Sequence, residues 1–492
     1  MSMQQEKAPP RVSKSPEKVV HLTPQERSNL GKEARKRLPR DWQASFEPLS
    51  SRPDPVSLLE LQAESRVPEL VPIRYGRMLV SPFTFFRGAA LIMASDLATT
   101  AHSGLITQIC GDAHLSNFGL FASPERSLMF DVNDFDETLP GPWEWDLKRL
   151  AASVTICGRD QSFSKKNCVA AATQVGAAYR REMSRLANLR NLDVWYSSVD
   201  VEAVIANITA KASQTSNRAK AKRDEGMAAK ASSVVAKART KDSLQALEKL
   251  TTLVDGERRI VSDPPLIVPL EELAGDDQPD DLMGTLHQLV RSYRRTLQTD
   301  RRHLLEDFRL VQVARKVVGV GSVGTRAWIL LLLGRDGDDP LFLQAKEAEA
   351  SVYEEFLGKS HYTNHGERVV AGQHLMQAAS DIFLGWQRVD GIDGISRDFY
   401  LRQLRDWKGS FAMEGAIPKG LTVYAGVCAQ ALARAHARAG DRIAIASYLG
   451  NGSAFDNALG EFAETYADQN ERDYGALKAA VASGRIAAET GL

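Results

Sequence analysis

The sequence lacks the features that direct a protein out of the cell or into a membrane. It has only four cysteines in 492 residues, and none lies in a CxxC or other metal-ligand spacing, which is typical of reduced thiols. The longest apolar run, AWILLLL from Ala327 to Leu333, is far shorter than the ~20 residues of a membrane-spanning helix. The first residues lack the apolar core of a signal peptide. We therefore expect a cytoplasmic protein with no membrane partner.

An excess of charge of one sign is also absent. The 62 basic and 62 acidic residues cancel, so the composition predicts no nucleic-acid partner. The local exception is the Ala-, Ser- and Lys-rich segment 211–241, which carries nine basic residues against two acidic ones. This segment is either a solvated helical arm or a docking surface for an acidic or phosphorylated partner.

The sequence does contain a dense polar stretch between Gly111 and Arg149. Asp112 and Asn117 lie five residues apart, directly after the strand-like run LITQIC, and Asp134 follows a second short apolar run. If the two strands are neighbours, these side chains converge on one point. Carboxylate and amide oxygens, completed by water and substrate phosphates, are the ligands that Mg²⁺ prefers.

The motifs in this stretch resemble those of a known group of enzymes. GDAHLSN, which contains Asp112 and Asn117, is similar to the GDxHxxN catalytic loop of aminoglycoside phosphotransferases, choline kinases and other kinase-like enzymes, and DFD takes the place of their metal-binding DFG motif. The resemblance implies that Asp112 is the general base and that Asn117 and Asp134 bind Mg²⁺. It also implies that Asp146, twelve residues after Asp134, braces the catalytic loop from a buried helix.

Two further side chains belong to the same prediction. Asp136 is a candidate ligand for a second metal ion, and His114 is expected to brace the loop because Asp112 already fills the role of base. The chain as a whole resembles family twenty-two fifty-two of the bacterial domains of unknown function, over roughly 66–477, and that family is grouped with kinase-like folds.

A glycine-rich segment appears two hundred residues later. KVVGVGSVG holds Gly319, Gly321, Ser322 and Gly324 in a GxGxxG pattern. A dinucleotide-binding fingerprint must open a helix, whereas the segment that follows has the apolar pattern of a strand. The next predicted strand, LFLQAK, ends at Lys346. This order resembles the nucleotide-binding hairpin of kinases, in which backbone N–H groups cover the phosphates and the lysine pairs with them.

Kinase-like folds also need an acidic partner for that lysine and a hinge that receives the adenine. Glu354 and Glu367 are both candidates for the partner, and the sequence does not separate them. The stretch from Gln403 to Arg405 is expected at the hinge.

The expected fold is α+β: a two-lobed, protein-kinase-like fold with a mainly helical lobe and a smaller antiparallel-sheet lobe that binds nucleotide. The expected parts are a disordered or helical extension, the helical lobe with the catalytic loops and a basic insertion, the sheet lobe, and helices that complete the helical lobe, at 1–40, 41–310, 311–410 and 411–492. Ordinary kinases place the glycine loop before the catalytic loop, so the chain is expected to be circularly permuted. LARAHARAGD and RGAALIMASDLATT both resemble the helix that precedes the loop, which leaves the break open.

We therefore expect an ATP- and Mg²⁺-dependent phosphotransferase acting on a hydroxyl of a small molecule or a protein. AMP transfer and non-catalytic nucleotide binding are alternatives, because they use the same groups. A metallophosphoesterase is disfavoured, since GDxxD and GNH-type clusters are missing. Arg74, Arg77 and Arg87 either meet an anionic acceptor or pack as surface arginines against Tyr75 and Phe86.

Overall fold

The computed structural model describes most of the chain. The described residues are 20–202, 205–206, 209–210, 218–274, 282–391, 393–404, 406–409 and 415–492. Residues 1–19 of the expected extension, residues 211–217 of the basic segment and Arg405 of the expected hinge lie outside them. None of the described helices is long and apolar enough to cross a membrane.

The first part of the chain forms five short helices. They are α1 (Pro24–Arg37), α2 (Pro55–Ala63), α3 (Val71–Met78), α4 (Pro82–Gly88) and α5 (Ala90–Ala98). Three of them start at a side-chain cap followed by proline, as at Thr23, Asp54 and Ser81. The cap accepts hydrogen bonds from free N–H groups of the first turn, and proline lacks the N–H that would otherwise be unpaired there.

Two small antiparallel sheets of two strands each follow, and they carry the polar stretch. Strand β1 (Ile106–Ile109) pairs with β4 (Leu139–Pro142), and β2 (Phe118–Ala122) pairs with β3 (Leu128–Val132). One loop joins β1 to β2 and another joins β3 to β4. The pairing therefore brings the GDAHLSN loop and the DFD segment side by side.

A set of long helices forms the main core. They are α6 (Trp143–Asp160), α7 (Lys165–Ala187), α16 (Pro418–Ala439), α17 (Arg442–Leu449) and α18 (Ala454–Ala482). Helix α6 is buried along nearly its whole length, and α7, α16 and α18 pack around it. Helices from the two halves of the chain thus share one apolar core.

The middle of the chain connects this core to a larger sheet. It forms α8 (Asn191–Trp195), α9 (Arg218–Arg239), α10 (Ser243–Leu250), β5 (Thr251–Val254), β6 (Glu257–Ile260), β7 (Ile267–Pro269), α11 (Leu270–Ala274), α12 (Leu282–Arg294) and α13 (Thr299–Glu306). Strands β5 and β6 form a hairpin with Asp255 and Gly256 at its turn. Both turn residues have positive φ angles, as a tight two-residue hairpin requires.

The larger sheet has six antiparallel strands in the order β11-β12-β10-β9-β8-β7. Its remaining strands are β8 (Arg309–Lys316), β9 (Ala327–Leu333), β10 (Pro340–Ala348), β11 (Gly385–Asp390) and β12 (Ser396–Gln403), and α14 (Glu354–Leu357) and α15 (His365–Met376) lie between β10 and β11. The central strand β10 is buried at all nine positions. The chain is therefore α+β with antiparallel sheets, which confirms the coarse fold class; a permuted kinase-like fold stays a prediction.

Candidate active site

The GDAHLSN loop is fixed to the core by one carboxylate of α6. Asp146 is fully buried and accepts hydrogen bonds from the backbone N–H groups of Cys110 at 2.8 Å and Gly111 at 2.9 Å. Gly111 has a φ of +84°, and a Cβ at this position would lie 2.5 Å from the carbonyl oxygen of Glu137. The loop can therefore turn here only at glycine. Asp146 holds the loop from behind rather than from within the cleft.

A buried histidine completes the anchor. Nε2 of His436, on α16, lies 3.1 Å from Oδ2 of Asp146, and its Nδ1 lies 2.8 Å from the hydroxyl of Tyr179. Because the carboxylate can only accept, Nε2 donates to it and Nδ1 accepts from Tyr179. The sequence analysis did not identify His436; the only signal for it was LARAHARAGD.

Asp112 lies at the surface of the loop and is held by two other side chains. Arg149, fully buried one turn after Asp146 on α6, forms an ion pair with its carboxylate. Nε2 of His114 lies 3.5 Å from Oδ2 of Asp112. Burial alone would raise the pKa of Asp112, but the Arg149 guanidinium and His114 outweigh it and lower that pKa. Asp112 is therefore ionised at neutral pH, with its carboxylate oriented by Arg149.

His114 has the properties of a brace. Its Nδ1 accepts a hydrogen bond from the backbone N–H of Ser116 at 3.2 Å. Burial lowers its pKa to about 3, an effect that the charge of Asp112 only partly opposes. The imidazole is therefore neutral at pH 7, and its remaining N–H points toward the carboxylate of Asp112.

Asn117 joins the two polar loops. Its Nδ2 donates to the backbone oxygen of Asp112 at 2.7 Å, and its own backbone oxygen accepts from the N–H of Asn133 at 2.8 Å. The amide nitrogen is thus committed to the loop, so the side-chain oxygen is the group that remains for a metal ion. The second bond fixes the segment that carries Asp134.

The DFD segment meets the lysine of the larger sheet. Nζ of Lys346 lies 2.6 Å from Oδ2 of Asp136 and 3.8 Å from Oδ2 of Asp134, and the Tyr400 hydroxyl donates to Oδ1 of Asp136 at 2.6 Å. Lys346 and Tyr400 are opposite each other in the β10–β12 register. Both oxygens of Asp136 are engaged, which favours Asp134 over Asp136 as a metal ligand.

The electrostatics of this group follow from burial and from the lysine. Burial and the neighbouring Asp136 charge raise the pKa of Asp134. Burial alone would also raise the pKa of Asp136, but the charge of Lys346 and the hydrogen bonds from Lys346 and Tyr400 outweigh it and lower that pKa. Burial would lower the pKa of Lys346, and the two carboxylates raise it above its usual value. Lys346 is therefore charged and neutralises part of the acidic pair.

Among the described residues, the ion pairs of Lys346 are with Asp134 and Asp136 and not with either of the two predicted glutamates. Glu354 lies instead 3.8 Å from Nδ1 of His365 and 4.0 Å from Nε of Arg368, and Glu367 lies in the first turn of α15. No ion pair joins either glutamate to Lys346 within the described residues. Helix α15 reaches the DFD segment through Arg368, which donates to the backbone oxygens of Thr138 and Asp136. Asp136 comes from the neighbouring loop and supplies the charge expected from the helix.

The glycine segment forms the loop between β8 and β9, and residues from the start of the chain hold it. The backbone N–H of Val67 donates to the oxygen of Gly324 at 2.8 Å, and Arg77 donates to the oxygen of Gly319 at 2.6 Å. A Cβ at Gly321 would lie 3.2 Å from the backbone oxygen of Arg87. Gly319 and Gly324 have positive φ angles, so the loop needs glycine for its conformation.

The expected hinge is already bonded within the protein. The backbone N–H of Gln403 donates to Oδ2 of Asp381, and its backbone oxygen accepts from Nζ of Lys408 at 3.0 Å. The next N–H, that of Leu404, donates to the oxygen of Phe342 at 2.9 Å. The backbone N–H of Gln403 is therefore already bonded within the protein, and because Arg405 lies outside the described residues the hinge from Gln403 to Arg405 stays a prediction.

One cleft collects several of the predicted groups. It has a volume of about 110 Å³ and is lined by residues from the GDAHLSN loop, the DFD segment, the glycine loop and the early helices, among them Asp112, Asp134, Asp136, Gly321, Ser322, Arg66, Arg74 and Arg87. Of the three arginines predicted from sequence, Arg74 and Arg87 line the cleft. Arg77 instead contacts the backbone of Gly319 and Leu492. Arg66 was missed by the sequence analysis.

A second cavity lies behind the DFD segment. It has a volume of about 250 Å³ and is lined by Leu120, Asn133, Asp381, Arg402, Asp406 and Lys408, among others. Nη1 of Arg402 donates to the backbone oxygen of Asn133 at 3.0 Å. Because Asn133 and Asp134 are consecutive and line the two spaces, the second cavity adjoins the cleft.

Asn117 and Asp134 suit a hard cation such as Mg²⁺, which binds through one or two carboxylates together with substrate phosphates. Within the described ranges, no group of three or more His, Cys, Asp and Glu side chains forms a metal site.

Comparison with known proteins gives one match. A family described as "Uncharacterized protein conserved in bacteria (DUF2252)" matches residues 66–480. The matched region contains the catalytic loop, the DFD segment, the glycine loop and Lys346. Neither the curated proteins nor the solved structures gave a match.

Proposed function

Because the chain belongs to this bacterial family, DUF2252, whose description names no activity, we propose a function from the chemistry of the cleft: the protein is an ATP-dependent phosphotransferase with a permuted kinase-like fold. The observation that carries the proposal is the contact of Lys346 with the DFD segment, at 2.6 Å from Asp136. Residues more than two hundred positions apart in the chain thereby share one cleft with Asp112 and the glycine loop.

The order of elements in the sheet supports the kinase-like part of the proposal. Counted from β8, the glycine loop joins the first two strands and Lys346 lies on the third. Protein kinases have the same order, with a glycine-rich loop over the phosphates and the lysine on the third strand. Helix α15 follows in the position where kinases carry the helix that contacts their catalytic lysine, although here Asp136 takes over that contact.

The two adjoining spaces support a position for the nucleotide. The phosphates are placed in the cleft, below the N–H groups of the glycine loop and beside Lys346, where Asn117 and Asp134 would hold Mg²⁺. Helix α10 packs Leu247 and Leu250 in one core cluster with Ile329 and Phe342 of the sheet. That part of the sheet is therefore closed to the base, and we place the nucleoside in the second cavity, with Leu120 and Lys408 in its lining.

The roles of the side chains follow from this arrangement. Asp112 accepts a hydrogen bond from the acceptor hydroxyl and takes up its proton as the oxygen bonds to the γ-phosphorus and ADP leaves. The low pKa of Asp112 makes it a weak base, which suits phosphoryl transfer because its loose transition state requires positioning more than proton removal. Arg149 and His114 orient the carboxylate, and Lys346 pairs with the phosphates. Bound Mg²⁺ supplies charge neutralisation at the phosphate oxygens.

Label transfer tests the reaction. Full-length protein is incubated with Mg²⁺, a fractionated bacterial metabolite extract and ATP labelled in either the γ- or the α-phosphate. We expect transfer of the γ-label, lost in Asp112→Asn and retained in Asp338→Asn, which changes an exposed aspartate of the β9–β10 turn. Transfer of the α-label would replace phosphoryl transfer by AMP transfer. If the protein binds ATP but transfers neither label, the conclusion would be nucleotide binding without catalysis.

A further inference from the structure

The cleft contains a buried arginine that has no acidic partner in an ion pair among the described residues. Arg74, on α3, is 1% exposed. Its Nη2 donates to Oε1 of Gln62 at 3.1 Å and to the backbone oxygen of Gly88 at 3.0 Å. Its Nε and Nη1 are buried, and within the described part of the chain they have no hydrogen-bond partner. That part of the chain also provides no carboxylate in an ion pair with Arg74.

Such an arrangement is costly unless a ligand completes it. A buried charge needs a partner of opposite sign, and buried N–H groups need acceptors. Burial and the nearby charge of Arg66 both lower the pKa of Arg74, so its surroundings oppose its charge. An anion in the cleft would supply both the acceptors and the opposite charge, and the planar guanidinium suits the paired oxygens of phosphate or carboxylate.

Two acidic residues of the cleft, Glu137 and Glu347, do not take this role. Burial raises the pKa of Glu137 to about 7, so this side chain is only partly ionised at neutral pH. Glu347 is paired with Arg326 at 3.3 Å and with Arg397 at 3.3 Å. The positive charge of Arg74 is therefore not offset by these neighbours.

A short backbone segment connects Arg74 to the proposed base, Asp112. The backbone oxygen of Phe86 accepts a hydrogen bond from Arg149, the partner of Asp112. Two residues later, the oxygen of Gly88 accepts from Arg74. The same short segment of α4 thus links Arg74 to Asp112. The nucleotide phosphates are assigned to the glycine loop, Lys346 and Asp134, none of which forms this link to Arg149 and Asp112.

We propose that Arg74, together with the cleft-lining Arg87, binds an anionic group of the acceptor, so that the substrate is a small hydroxy compound carrying a phosphate or a carboxylate. This inference rests on the proposed function, since it assigns the acceptor to the same cleft. Arg66 contributes less, because it already donates to the backbone of Gln62 and Val323.

Binding of simple anions tests the proposal. Inorganic phosphate and acetate are titrated separately into the full-length protein by calorimetry, with Mg²⁺ and with or without a saturating non-hydrolysable ATP analogue. We expect at least one anion to bind while the analogue is present, and the tighter of the two identifies the acceptor group. Arg74→Gln should weaken this binding at least tenfold and leave the affinity for the analogue within twofold of the parent. Arg335→Gln, which removes an exposed arginine of the β9–β10 turn, should change neither.

Several results would overturn the proposal. They are absence of binding of both anions to the parent protein, equal binding by Arg74→Gln, and competition between the anion and the ATP analogue, which would assign Arg74 to the nucleotide. If Arg74→Gln does not fold, Arg87→Gln and Arg74→Lys are measured instead, with the same weakening expected. If the analogue does not bind but phosphate binding depends on Arg74, the anion site stands and the proposed kinase function fails.

Discussion

Replacing Lys346 by methionine removes the cation between the two aspartates of the DFD segment. Its Nζ lies 2.6 Å from Asp136 and 3.8 Å from Asp134, and the lysine side chain is only 4% exposed. Methionine fills a similar volume without a charge. In the variant, two neighbouring carboxylates remain in a largely buried site, and the Tyr400 hydroxyl is the donor left to Asp136.

The expected loss of stability follows from that arrangement. Removing one partner of a buried ion pair costs about 3–5 kcal/mol, and because the aspartate side chains keep some exposure we expect about 3 kcal/mol. The sign of the pH dependence is fixed by Asp136. In the parent, the lowered pKa of Asp136 stabilises the fold at pH values above the pKa of an aspartate in the unfolded chain. This contribution is lost as the pH falls through the pKa of folded Asp136. In the variant the pKa of Asp136 rises, so protonation of Asp136 favours the fold. The difference in unfolding free energy between parent and variant therefore becomes smaller as the pH falls toward roughly 4.

Denaturant unfolding in a chelator checks this prediction, at neutral pH and at mildly acidic pH. The control is Lys359→Met, which removes an exposed lysine charge. Addition of Mg²⁺ should restore part of the stability of Lys346→Met, because a cation then enters the acidic site. If Lys346→Met is as stable as the control at neutral pH, the account of the acidic pair is wrong.

Three other substitutions have defined outcomes. Gly111→Ala should destabilise the fold by about 3 kcal/mol or more, because Gly111 has a positive φ and a Cβ there would lie 2.5 Å from the Glu137 backbone oxygen. Denaturant unfolding measures this loss, and a variant as stable as the parent would contradict the geometry. Asp146→Asn should leave one of the two loop N–H groups unpaired, which costs about 1–3 kcal/mol, and should lower label transfer more than ATP affinity; an equal loss of both would refute the bracing role. His114 has a folded pKa of about 3 against a usual 6.5, so stability should fall as the pH drops below 6.5, by up to about 1.4 kcal/mol per pH unit. His114→Asn should flatten this acid limb in thermal melts, and an unchanged limb would contradict burial as its cause.

The groups that local motifs encode were predictable from sequence. Asp112 and Asn117 lie in one short loop, and Asp134 follows a neighbouring strand. Once the short strands pair, the two loops that carry these residues lie side by side. The glycine loop and Lys346 were likewise predictable, because a strand, a glycine turn and two further strands leave few arrangements.

The partners of those groups were not predictable, because they depend on packing between distant segments. The partner of Lys346 is Asp136 from another part of the chain, whereas the two predicted glutamates lie on two separate helices that follow β10. Arg149 contacts Asp112, and His436 contacts Asp146. The sequence alone does not show which carboxylate each of these buried side chains meets. At the expected hinge, the side chains of Asp381 and Lys408 bond to the backbone of Gln403, and the sequence alone does not show these contacts.

The most direct test of the central claim is ATP binding by titration calorimetry, with and without Mg²⁺. Asp134→Asn and Lys346→Met are compared with the parent and with the matched exposed changes Asp338→Asn and Lys359→Met, under conditions where all are folded. We predict Mg²⁺-dependent binding that is lost or weakened at least tenfold in the two cleft variants and kept in the two controls. A folded parent that binds no ATP, or cleft variants that bind it as the parent does, would contradict a nucleotide site at this cleft.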